Sequence, residues 1–255
     1  MRSPTLSILM GAVSGVALAL MLRYEQRAVF FVTLIVWLIA LILAHWYTIR
    51  FLGVRSERLL FVVTALSFTG MISLVESVVL GRGLIILGAV LFAGLFAALT
   101  AKPEGAAHIA EKPTRRFLML VWVFDAYAIA TTAFAVSVFF PDAPFWLIVL
   151  LAAPALAYIA CEIWALYYMF STPFAPGLWW LLLTLLMSEL MFVVDLLPFG
   201  YLAAGLSVAW VWYIIQLFIR FHLSSAGVIW RKQWRFLAGN AILFTLVLIF
   251  FVRWV

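Results

Sequence analysis

Charge is what this chain has least of. Asp, Glu, Lys and Arg make up 10% of its 255 residues, while 68% are hydrophobic. A soluble domain carries about 25% charged residues, so water is excluded as the solvent for most of the chain. Cysteine is almost absent as well: Cys161 stands alone, and no internal disulfide can form. Three histidines (His45, His108, His222) lie far apart in sequence, and with one cysteine they give no metal-ligand spacing. No metal and no cofactor is expected.

Catalytic motifs are missing too. There is no His-Glu-x-x-His and no Gly-x-Ser-x-Gly. No lysine lies inside an apolar run, which excludes a Schiff base there. Asp125 and Asp195 sit in apolar runs but no Gly-x-Gly precedes either. They also fall at different depths, whereas a dyad sharing a proton needs carboxyls about 3 Å apart. No catalytic residue is expected, and the balance leans against an enzyme.

Long polar stretches are lacking as well. The longest, AKPEGAAHIAEKPTRR (residues 101–116), is sixteen residues. What fills the chain instead is a series of apolar runs of membrane length: Thr5 to Leu22, Ala28 to Ile49, Leu59 to Leu80, Leu84 to Thr100, Phe117 to Phe140, Phe145 to Phe170, Leu178 to Leu197, Tyr201 to Phe221 and Phe236 to Trp254. Twenty residues of helix extend roughly 30 Å, the thickness of a bilayer's hydrocarbon core. The fold expected is an all-α integral membrane protein, a polytopic bundle of about nine transmembrane helices. The first run reads as a retained span because Arg23 follows it directly, unlike a cleaved signal sequence. Its Gly11, Gly15 and Ala19 form a small-residue ridge that lets a neighbouring helix approach closely.

The 101–116 loop divides unlike halves: two tryptophans precede it and ten follow. Residues 1–100 read as a four-helix bundle of small residues and 117–255 as an aromatic-rich bundle of five, together one structural unit. Nine spans place twelve Lys and Arg on the side of the N-terminus and four on the other. Basic residues gather on the cytoplasmic side, so the N-terminus, the 101–116 loop and the basic connection 222–235 are expected in the cytoplasm and the C-terminus outside. That topology also accounts for the net charge of +6 without nucleic acid. A bacterial or archaeal cytoplasmic membrane is the expected location.

Five of the ten acidic residues fall within the apolar runs. Helical rise puts Asp125 and Glu162 in a lower tier, Glu189 near the midplane, and Glu76 and Asp195 near the outer face. A charged carboxylate at the centre of a span costs about 2.5 kcal/mol or more. With no lysine nearby, these groups are expected to turn inward, protonated or in contact with water. Tyr158, Tyr213 and Gln216 form a polar seam beside them. Pro154 should kink the sixth span and free a carbonyl. Trp230, Arg231, Trp234 and Arg235 alternate as an aromatic and a basic stripe, which suits a surface helix lying on anionic lipid headgroups.

Two functions compete. One is an accessory or scaffold subunit whose protonated intramembrane carboxylates join helices, with the lipid bilayer and other membrane subunits as its partners. The other is a proton- or cation-coupled small-molecule transporter or channel using the carboxylates of helices five to seven.

Overall fold

Apolar runs without internal water partners satisfy their backbone as helices, and helices are what form. The computed structural model describes residues 4–24, 26–52, 58–100, 112–165, 167, 175–223 and 227–251. Among these lie nine helices and no strand: α1 (Pro4–Arg23), α2 (Arg27–Leu52), α3 (Arg58–Ser73), α4 (Val78–Thr100), α5 (Lys112–Phe139), α6 (Phe145–Ala165), α7 (Ala175–Asp195), α8 (Tyr201–His222) and α9 (Trp230–Phe251). Seven are long and apolar enough to cross a membrane; α3 and α9 have shorter apolar stretches, Leu59–Ser73 and Gln233–Ile249.

The third and fourth runs divide earlier than the sequence suggests. Ser73 Oγ donates back to the carbonyls of Thr69 at 2.7 Å and Gly70 at 3.0 Å. Leu74 and Val75 then bond three residues back, to Met71 and Ile72, tightening and ending the helix. Gly81 N–H bonds to Ser77 O at 2.8 Å as α4 starts. Glu76 therefore sits in the turn between α3 and α4, exposed, and not in a span. Gly81, Arg82 and Gly83, which separate the third and fourth apolar runs, lie inside α4.

The basic aromatic stripe is likewise not a separate surface helix. Gly227, at φ +62°, turns the chain as glycine permits. Gln233 N–H then bonds to Ile229 O, so Trp230 to Arg235 form the first turns of α9. Of the expected cytoplasmic segments, 101–111 and 224–226 lie outside the described residues.

The contacts divide the chain into two units, Met1–Asp125 and Ala126–Val255, with the division inside α5. In the first, α1 lies along α4 and also touches α2 and α3. A Cβ on Gly11 would stand 2.7 Å from Ala89 O and 2.8 Å from Ala93 Cβ, so the ridge read from sequence is the contact surface with α4. Gly15 faces Ala89 in the same way, at 3.1 Å. Aromatic rings fill the interior: Trp37 with Phe92, Phe61 with Phe96, and Phe68 with Phe124.

In the second unit α6 packs on α7, and α8 touches α6, α7 and α9. Alanines make the core of α6 thin (Ala152, Ala153, Ala157 and Ala160 are all buried), and this is what allows indoles to reach its backbone. α6 runs through Pro154 as one helix. The carbonyl that a proline deprives of its donor is that of the residue four before it, here Leu150. The carbonyl found by a new donor is instead Pro154's own, which accepts from Trp180 Nε1 at 3.1 Å.

Candidate functional site

Asp125 lies at the middle of α5, thirteen residues from Lys112 and fourteen from Phe139. It is wholly buried. Its neighbours Val121, Trp122 and Ala126 are buried with it, and Phe68 stacks on Phe124 at 4.7 Å. The apolar face of α5 thus carries the carboxyl into the first unit's interior. There Thr64 Oγ1 of α3 donates to Asp125 Oδ2 at 2.8 Å. Ser67, three residues further along α3, faces the same carboxyl. Neither its hydroxyl nor Asp125 Oδ1 completes a hydrogen bond of ordinary length. One oxygen of the acid is therefore tied to a neighbouring helix and the other is left over, with Ser67 nearby.

The other carboxylates are placed differently. Glu162 is half-buried on α6, close enough to Cys161 to act on it electrostatically. Glu189 is exposed, on the side of α7 away from the buried Leu183, Met187, Met191 and Val194. The inward placement expected of Glu189 is corrected on that point. The hydrophobic face of α7 is needed against α6, and Glu189 falls about 200° around the helix from Met187. Asp195 is the last residue of α7 and Glu76 lies between helices; both are exposed.

Of the polar seam, Gln216 on α8 is wholly buried, and among the described residues neither its amide nitrogen nor its amide oxygen has a hydrogen-bond partner. Tyr158 and Tyr213 are half-buried. Arg220 places its guanidinium 4.5 Å over the Tyr167 ring, a cation–π contact. Trp230, Arg231, Trp234 and Arg235 are all exposed.

The residues that join the helices escaped the sequence reading. Trp164 Nε1 of α6 donates to Gln216 O of α8 at 3.0 Å, and Trp212 Nε1 of α8 returns to Leu156 O of α6 at 2.9 Å. Trp180 adds the bond from α7 to Pro154 O. In the first unit Trp37 Nε1 bonds to Ser14 Oγ, which in turn donates to Met10 O. Buried indoles seek an acceptor, so the ten tryptophans after residue 116 were the available signal. Thr64 and Ser67, three apart on α3, were the signal for the partners of Asp125.

No family model matches this chain. No curated protein and no solved structure is detectably similar to it. Its chemistry therefore has to be read from its own residues. Among the described residues there is no group of three His, Cys, Asp or Glu that could hold a metal ion.

Proposed function

We propose that this multipass protein is an accessory or scaffold subunit of the membrane, with its N-terminus in the cytoplasm and its C-terminus outside. The observation that carries this reading is the Asp125 site. Its carboxyl is enclosed among apolar side chains and hydrogen-bonded to Thr64 of another helix, which is the work of a structural link between α3 and α5. The other polar bonds between helices run in the same sense: indole to hydroxyl in Met1–Asp125 and indole to carbonyl in Ala126–Val255. Lipid, with anionic headgroups meeting Arg231 and Arg235 beside Trp230 and Trp234, and other membrane subunits are its partners in this reading. A bacterial or archaeal cytoplasmic membrane fits it.

The leftover Oδ1 of Asp125 beside Ser67 favours a second reading, in which that oxygen takes up a proton or cation during coupled transport. One experiment separates the two. Wild type, Asp125→Asn and Asp125→Leu are compared for thermal stability in detergent and for proton flux in reconstituted vesicles. A structural link predicts no flux in the wild type and near-normal stability for Asp125→Asn, since the amide still accepts from Thr64. Asp125→Leu should lose about 1–3 kcal/mol by stranding a buried hydroxyl. Flux in the wild type that Asp125→Asn abolishes would replace the scaffold with a transporter.

A further inference from the structure

α1 and α4 meet along one line and run in opposite directions. Gly11 lies against Ala89 and Ala93, Gly88 against Leu18, and Gly81 against Leu22, so contacts that climb α1 descend α4. Each residue of a right-handed helix turns about 100° from the one before. In an antiparallel pair those turns carry the next residue of both helices to the same side. A Cβ on Gly81 would stand 2.7 Å from Leu22 Cδ2, and the residues that follow this contact are Arg23 and Arg82. They therefore stand side by side on one face of the pair, at levels about 3 Å apart.

Both arginines are exposed, and among the described residues neither has an ion pair, a hydrogen bond or an aromatic ring beside it. Glu76, six residues before Arg82, is exposed and does not pair with it. The stripe below Arg23 continues along α1 as Ala19, Val16 and Ala12, at intervals of 4, 3 and 4. Ala12 and Val16 are exposed and Ala19 is half-buried. On α4 the residue four past Arg82 is Ile86, exposed by 65%. Alanines beside the close glycine contact leave this face as a shallow trough, apolar along its length and doubly charged at one end. Basic residues are depleted on the outer side of a membrane, and the topology proposed above gives that side only four Lys and Arg. Two of the four are these.

We propose that the α1–α4 face binds an anionic phospholipid, with its phosphate between Arg23 and Arg82 and an acyl chain along the trough. Both arginines stand at the ends of helices long and apolar enough to cross a membrane, which is the level of the headgroups. A guanidinium is a planar fork of N–H donors that matches phosphate oxygens. Two of them exceed the charge of one phosphodiester, so a headgroup without its own cation, such as phosphatidylglycerol, is favoured over phosphatidylcholine. The site rests on α1 and α4 crossing the membrane, and holds whether the protein is a scaffold or a transporter.

The test uses the full chain in vesicles, with Cys161→Ala as background and a fluorophore on a single cysteine. Val16→Cys labels the trough. Val36→Cys labels an exposed position on α2, whose Trp37 bonds Ser14, about 180° around α1 from Arg23. Lipids brominated on the acyl chain quench the fluorophore on contact. The ratio of quenching by brominated phosphatidylglycerol and brominated phosphatidylcholine then gives their relative affinity at that point. Phosphatidylglycerol should be preferred at Val16 roughly 5- to 30-fold, the effect of one or two arginines near anionic lipid. At Val36 the two lipids should quench nearly alike. Arg23→Gln combined with Arg82→Gln should erase the preference at Val16, whereas Arg27→Gln, at the start of α2, should keep it. Quenching at Val36 in every variant checks that fold and insertion are retained. An equal preference at Val16 and Val36, or one that survives loss of both arginines, would overturn the site. So would a Val16 label that neither lipid reaches while Val36 is quenched, which would mean that another protein surface covers the trough. No quenching at either position refutes both the membrane reading and the lipid site, whereas equal quenching by the two lipids refutes the site alone.

Discussion

The two units hold their helices together by different means. In Met1–Asp125, α1 and α4 touch through missing side chains: Gly11 and Gly15 admit Ala89 and Ala93 to within ordinary contact of the backbone. In Ala126–Val255, α6 is bound to α7 and α8 through indole N–H groups that reach main-chain carbonyls. Helices surrounded by lipid tails gain little from burying apolar surface against each other, so close packing and interhelical hydrogen bonds do the joining. Each unit leans on one of the two. Each also borrows from the other: Trp37 bonds Ser14 in the first, and Gly205 lies against the backbone of Thr131 in the second.

The difference can be broken most sharply at Gly11. Gly11→Leu drives a branched side chain into Ala89 O and Ala93, and should cost about 3 kcal/mol as overpacking without room to relax. Gly239→Leu, where nothing lies within 4 Å, should stay within about 0.5 kcal/mol of wild type. Thermal unfolding in detergent reads both; equal melting temperatures would mean that α1 and α4 do not depend on the close approach. A smaller effect is expected at Trp212. Trp212→Phe keeps an aromatic ring but removes the buried bond to Leu156 O, and should lose about 1–2 kcal/mol. Trp180→Phe, partly exposed, should lose about 0.6 kcal/mol, the average for interhelical hydrogen bonds in lipid. If Trp180→Phe proves as costly as Trp212→Phe, the indoles act through packing and not through their N–H groups.

Much of this architecture is legible in the sequence, and the reason is the bilayer. Span-length apolar runs leave a backbone no alternative to helix, so each of the nine runs read from sequence holds a helix, seven of them long enough to cross a membrane and two, α3 and α9, with shorter apolar stretches. The Gly11–Gly15 ridge is legible too, because glycine at that spacing has one main use in lipid. Boundaries are less so: the break at Leu74–Ser77 depends on Ser73 turning back onto its own helix, a local choice that hydropathy does not register. Orientation of polar groups around a helix is the least legible. Asp125 and Glu189 look alike in a hydropathy profile, yet the first is enclosed and the second exposed. What separates them is phase: Asp125 shares its side of α5 with Val121, Trp122 and Ala128, while Glu189 opposes Met187 and Met191. The placement of Thr64 against Asp125 is a contact across sixty-one positions of chain, and no local pattern encodes it.

The unequal lengths of α3 and α5 bear on the membrane itself. Sixteen residues of α3 rise about 24 Å, whereas the 28 residues of α5, the first few of them polar or basic, rise about 42 Å. No single hydrocarbon thickness suits both. In a bilayer of about 30 Å a helix of α5's length leans or protrudes, whereas α3 is shorter than the hydrocarbon core. A mismatch between helix length and hydrocarbon thickness is eased by tilt or by local change in bilayer thickness.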